Sequence, residues 1–135
     1  MRVSAAEKKY KEHIDYSDMD RECVALCKAI NEIPGLATLE SCCGHGEDEY
    51  EIIFTVTNLG TLALLLGCAH NSTDEWIVSV YATHYGAWPK FVLNGPIGGF
   101  KAAAKLAREI RREWTLVQKE IEERRTPRKT KKAGR

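Results

Sequence analysis

The stretch from Phe100 to Glu123 limits the possible folds more than any other part of the chain. Phe100, Ala103, Leu106 or Ala107, Ile110, Trp114, Val117 and Ile121 recur at a spacing of three to four residues. That spacing lines them up on one stripe of a long helix. A helix in water keeps such a stripe only if other elements cover it. Lys101, Lys105, Arg108 and Arg112 fall on the opposite side, which reads as a solvated charged face unless a second subunit covers it. The rest of the chain must therefore supply an apolar surface that matches the stripe.

Two strand–strand units and two further helices are predicted to do so. Ser17-Asp18-Met19-Asp20 resembles a capping box, and Met19, Cys23, Leu26, Cys27, Ile30 and Ile33 then form one helical face that stops at Pro34-Gly35. Leu36 to Cys43 reads as a strand, Glu47-Asp48-Glu49 as a polar turn, and Tyr50 to Thr57 as a second, alternating strand. Asn58 is placed to cap a helix over Leu59 to Ala69. A third strand is expected over Glu75 to Thr83, followed by the aromatic segment His84-Tyr85-Gly86-Ala87-Trp88-Pro89 and a short strand from Lys90 to Gly95. The expected order is α-β-β-α-β-β-α. This is a single α+β domain over residues 1–123, with helices packed on a four-stranded antiparallel or mixed sheet.

Charge is distributed unevenly. Residues 124–135 hold seven of the 20 Lys/Arg and no acid, which leaves 13 basic against 19 acidic residues over 1–123, a net of −6. The tail reads as a disordered, solubilising end, and without a basic body it is a weak signal for nucleic acid. No apolar run approaches the ~20 residues a membrane span requires, and the first 20 residues lack the apolar core of a secretory signal. A reducing cytoplasm is the expected compartment. The odd count of five cysteines then points to free thiols, with Cys23 and Cys27 as packing residues on the first helix.

Chemistry concentrates in Leu39 to Phe54, LESCCGHGEDEYEIIF. Cys43 stands two residues from His45, a spacing that allows an imidazole to assist a thiol. Glycines on both sides of His45 suit a sharp bend or a close approach to a ligand. Cys42, Cys43 and His45, with Cys68 and His70, offer metal-ligand chemistry, but adjacent strand residues point to opposite faces and the spacing fits no ribbon or finger. No metal or other cofactor is assigned on that basis. A nucleotide-like ligand requires cations for phosphate, an aromatic face and a hydrogen-bonding edge. Arg108 and Arg112 one turn apart, Arg21 on the first helix, His84 and Phe91 around the aromatic segment, and Asn94 at a strand end make up such a set.

The run Ile33-Pro34-Gly35-Leu36 through Leu39-Glu40-Ser41-Cys42-Cys43-Gly44-His45-Gly46 resembles segments of small phage and prophage proteins, a group linked here to the Thoeris anti-defence sponges. That resemblance implies a non-enzymatic protein that sequesters a cyclic ADP-ribose-like signal between subunits. Arg21, Arg108 and Arg112 would hold phosphates, His84, Tyr85 or Phe91 would stack on the base, and Asn94 would read its edge, with Cys43 and His45 lining or bracing the pocket. Thr38 to Val80 is also similar, in its order of elements, to the wybutosine tRNA methyltransferase of the third pathway step. There a Ser-Ser-Cys-Ser-Gly-Arg run stands where this chain has Glu-Ser-Cys-Cys-Gly-His. That second resemblance implies an RNA- or nucleotide-modifying enzyme with His45 as acid/base. A zinc-supported interaction protein is the third reading. The leading expectation is a homodimer or higher homo-oligomer that binds a nucleotide-derived small molecule, with no catalytic residue and no membrane partner.

Overall fold

The computed structural model describes residues 3–82 and 89–125. In chain order its elements are α1 (Ala5–Glu12), α2 (Val24–Asn31), β1 (Leu36–Cys42), β2 (Tyr50–Val56), α3 (Leu59–Asn71), β3 (Ile77–Ala82), β4 (Lys90–Gly95) and α4 (Phe100–Arg125). The α+β order read from the sequence is present, with one extra helix ahead of it. No helix among the described residues is long and apolar enough to cross a membrane.

The sheet order is β1-β2-β4-β3, and every neighbouring pair is antiparallel. β2 and β3 therefore run parallel to each other, with β4 inserted between them. α3 makes the long connection that such a parallel pair needs. Register and alternation assign the two faces. Ile52, Leu93 and Val78 form one cross-strand row, and Phe54, Phe91 and Val80 the next. This face meets α2, α3 and α4, and Tyr50, Ile52, Phe54, Leu93, Leu26, Ile30, Leu65, Leu106 and Ile110 share one buried cluster. The α4 stripe thus has the cover its spacing demands. At the end of the sheet the Trp76 ring lies so close to Gly95 that an added Cβ would fall 2.3 Å from it, so β4 closes on a residue without a side chain.

β1 carries a bulge between Thr38 and Glu40: Thr38 pairs with Phe54 and Glu40 with Ile53, leaving Leu39 without a partner. The extra residue resets the alternation. Ser41 faces the helices opposite Ile52, and Cys42 faces outward opposite Glu51.

The first helix differs from its sequence reading. Ser17 caps no helix; it lies inside a short 3-10 segment, Tyr16–Asp18, whose capping oxygen comes from Asp15. A second 3-10 turn, Arg21–Cys23, follows, and α2 begins only at Val24. Asp20 is thereby left outside regular helix, and its carboxylate accepts from the Cys43 backbone N–H at 3.0 Å. The competing interaction that overrides the capping box is thus tertiary. The other end of α2 is fixed by a buried amide. Asn31 Oδ1 accepts from Thr38 N at 2.8 Å, and its Nδ2 donates to Thr38 Oγ1 at 2.7 Å and to the Tyr16 hydroxyl at 3.0 Å.

α1 has no buried residue. Its sequence, AAEKKYKE, is made of good helix formers behind a Ser4 cap rather than an apolar stripe. It docks through side-chain tips. The Glu7 carboxylate accepts from Gly35 N at 3.0 and 3.2 Å, Lys11 Nζ donates to Ile33 O at 2.9 Å, and the Tyr10 hydroxyl donates to Thr38 O at 2.7 Å. The other predicted cap is found: Asn58 Oδ1 accepts from Gly60 N and Thr61 N at the start of α3.

Two outcomes follow from these ties. Asn31→Ala strands the buried Thr38 N–H and is expected to cost ~2–3 kcal/mol, read by urea unfolding; a cost near zero would show that the amide does not fix α2. Burial raises the Glu7 carboxyl, but the Gly35 N–H, the Lys11 ammonium and the Thr57 hydroxyl together bring it below its ordinary value. A lowered folded pKa gives stability that is present above the unfolded value and lost as pH falls through the folded one. Glu7→Ala should therefore cost ~1–3 kcal/mol at neutral pH, and the gap to wild type should narrow as the pH falls through the carboxylate range.

Candidate functional site

Two places on the molecule combine shape with chemistry, and they share no residue. The first is the tip of the β1–β2 hairpin. Gly44, His45 and Gly46 all adopt positive φ, at 76°, 52° and 83°. Glycine takes this region freely, but for histidine it costs energy. Gly44 cannot be replaced without strain, because an added Cβ would lie 2.8 Å from Glu49 O. The consecutive left-handed residues fold the chain back so that His45 approaches the end of β1. Its Nδ1 lies 3.7 Å from Cys43 Sγ, and its Nε2 lies 3.9 Å from Asp20 Oδ2.

Asp20, Cys43 and His45 each present one donor atom, and all of these atoms lie within 4.8 Å of one another. Cys43 is buried while the His45 side chain is 70% exposed, so the cluster has a dry floor and a wet rim. The Cys43 N–H and the neighbouring thiols hold the Asp20 carboxyl below its usual range. Burial pushes the Cys43 thiol up, and the Asp20 carboxylate adds to that push. A carboxylate beside a thiol disfavours the free thiolate, which argues against Cys43 as an unaided nucleophile. Cys27 and Cys68 are less available still: burial raises Cys27 to about 12 and Cys68 to about 11. All five cysteines are free.

The second place is a groove of about 650 Å³ between α3 and α4. Gly60, Ala63 and Gly67 make one wall, Lys105, Glu109 and Arg112 the other, and Asn71, Ser72 and Thr73 close one end. Lys105 Nζ donates to Thr73 Oγ1 at 3.0 Å, and Arg112 is paired with Glu109. The wall on α3 is shallow because its residues are small. Alongside it α3 stays apolar on its solvent side, with Leu59 77% and Leu66 41% exposed. A further groove of about 600 Å³, beside β1, includes Asp15, Asp18, Glu40 and Glu51 in its lining, and its charge repels anions.

The sequence-derived residues are dispersed within one chain. Arg112 edges the α3–α4 groove, whereas Arg108 is exposed on α4 and does not line it. Arg21 is exposed in the turn ahead of α2. Phe91 packs on Phe54 with ring centroids 5.9 Å apart, on the helix-covered face of the sheet. Asn94 pairs with Glu51 and Ile77 in a row of the opposite face. Cys43 and His45 meet each other at the hairpin tip, away from the groove. His84 lies outside the described residues, as do Tyr85 and Trp88. Of the metal donors considered from sequence, Cys68 borders the groove and His70 is exposed on α3, so neither joins the hairpin cluster. Asp20 was not foreseen. Its signal in the sequence, a capping-box aspartate, pointed to a different task. Lys105 was foreseen only as part of a charged face.

Compared with known proteins, the chain matches no family model, no curated sequence and no solved structure.

The hairpin geometry gives a paired expectation. Gly44→Ala meets the Glu49 carbonyl in a left-handed conformation and should cost ~2–4 kcal/mol, whereas Gly46→Ala enters open space and should cost only the ~1 kcal/mol of left-handed strain. Chemical denaturation of the two variants side by side checks the difference, and equal costs would show that the Gly44–Glu49 contact is not tight.

Proposed function

We propose that this chain is a non-enzymatic, homo-oligomeric binder of a nucleotide-derived, cyclic ADP-ribose-like signal, a phage-type anti-defence protein that sequesters its ligand in the host cytoplasm. The observation that carries this reading is the α3–α4 groove, which has Lys105 and Arg112 on one wall and a bare apolar helix beside the other. Its volume falls in the range of small-molecule sites. A phosphate can compete for Arg112, because an exposed ion pair such as Arg112–Glu109 contributes only ~0–1 kcal/mol, less than a bidentate guanidinium–phosphate contact. Ser72 and Thr73 hydroxyls and the Asn71 amide add donors for the remaining oxygens.

The oligomer follows from α3. A helix that is apolar nearly all round belongs inside an assembly. Leu59 and Leu66 share the solvent side of α3 with Ala63, and Leu116 adds a further exposed apolar side chain on α4. A second copy seated there would roof the groove and desolvate its cations, which strengthens their hold on phosphate. Arg108, one turn from Arg112 and turned further from the groove, is placed to reach a ligand held by a neighbouring copy.

Light scattering of the purified protein at micromolar concentration should give a dimer or larger species, and Leu59→Glu with Leu66→Glu should give a monomer. In calorimetry with cyclic ADP-ribose-type ligands, Arg112→Glu and Lys105→Glu should each bind about 10–100-fold more weakly than wild type. Heat denaturation of the complex should return the ligand unchanged. A monomeric wild type, or a ligand recovered in altered form, overturns the reading.

A further inference from the structure

The hairpin cluster lies outside the α3–α4 groove and plays no part in the binding just described. We infer that Asp20, Cys43 and His45 form a binding site for a zinc-class divalent transition metal, with a fourth coordination position open to solvent. The donor set is one carboxylate, one thiolate and one imidazole, the mixture that borderline metals such as zinc prefer over calcium or magnesium. The spacing is close to what an ion needs. Bonds of ~2.0–2.3 Å in a tetrahedral arrangement put donor atoms ~3.3–3.8 Å apart. One donor atom from each of the three residues lies within 4.8 Å of the other two, a spread that a turn of the exposed His45 ring narrows toward that range.

The backbone supplies a second, independent reason. His45 is held in a left-handed conformation between two glycines of the same hand, yet its side chain is largely exposed. Packing therefore does not account for the strain. Holding an imidazole against a thiol and a carboxylate does, because strained residues persist where the surroundings fix a functional geometry. The electrostatics agree. Asp20 and a Cys43 thiolate side by side would repel, and a bound divalent cation turns that repulsion into attraction. Cys42 lies nearby, its thiol close to the Asp20 carboxylate and its sulfur 3.4 Å from Gly44 N.

The site would also close the fold. Asp20 precedes α2, while Cys43 and His45 belong to the hairpin tip, so an ion would join two segments already linked by the Asp20–Cys43 N–H bond.

Cobalt(II) titration of the full chain under reducing conditions tests this. One cobalt per chain is expected, with a thiolate-to-metal charge-transfer band and the visible bands of a four-coordinate centre. Zinc should displace the cobalt and abolish the bands. Cys43→Ser should lose the charge-transfer band, and His45→Ala and Asp20→Asn should each weaken affinity by about tenfold or more. His45 is exposed, so His45→Ala should retain the fold, and its circular dichroism spectrum verifies that. Zinc at a concentration that saturates wild type should raise its Tm, and the same concentration should raise that of His45→Ala less. Absence of stoichiometric binding, or a site that survives both Cys43→Ser and His45→Ala, overturns the inference. Neither result bears on the α3–α4 groove, whose ligand binding is measured separately.

Discussion

α2 is only two turns long, and the fold depends on its being tied to β1 at both ends. A helix this short is unstable alone. Asn31 grips the backbone and hydroxyl of Thr38 at one end, and Asp20 grips the Cys43 N–H at the other. The Tyr50 hydroxyl adds a third tie, donating to Glu22 O at 2.8 Å. Between those anchors Leu26, Cys27 and Ile30 are pressed into the core. Since buried polar groups are costly when unpaired, these few bonds select one placement of the helix far more sharply than its apolar contacts could. α4 then lies across α2 and α3 and seals the same face of the sheet.

Most of this architecture was legible in the sequence. The α4 stripe, the alternation in Tyr50–Val56, the Asn58 cap and the fourth strand all follow from strong local signals that agree with the tertiary structure. Where local and tertiary signals conflict, the reading slips. Asp20 looks like a capping residue but serves the hairpin, so α2 begins several residues later than its apolar pattern suggests. α1 went unseen because it buries no residue and has nothing periodic to detect; its docking rests on Glu7, Tyr10 and Lys11, whose partners lie in distant parts of the chain.

The candidate sites were less legible, for the same reason. The pairing of Cys43 with His45 is local and could be read directly, but the carboxylate that completes the cluster arrives from a different element. The groove is formed by small residues on α3 and cations on α4, and neither helix shows it alone. Phe91 and Asn94 are three positions apart in a strand, which places them on opposite faces of the sheet and separates two groups that had looked like parts of one pocket.

The bulge at Leu39 has an effect beyond its own strand. Because side-chain direction in a strand has a period of two, one surplus residue inverts the parity of everything that follows it. With Leu39 in place, Ser41 and Cys43 turn toward the helices and Cys42 turns away. Were Leu39 to pair in an unbroken ladder instead of bulging, Cys42 would turn toward the helices and Cys43 outward, exchanging the two sulfurs. Losing the Leu39 codon would only regularise the ladder, with Glu40 still opposite Ile53 and Ser41 opposite Ile52, so which of two chemically identical neighbours is hidden depends on this surplus residue staying out of the pairing and not on its being present.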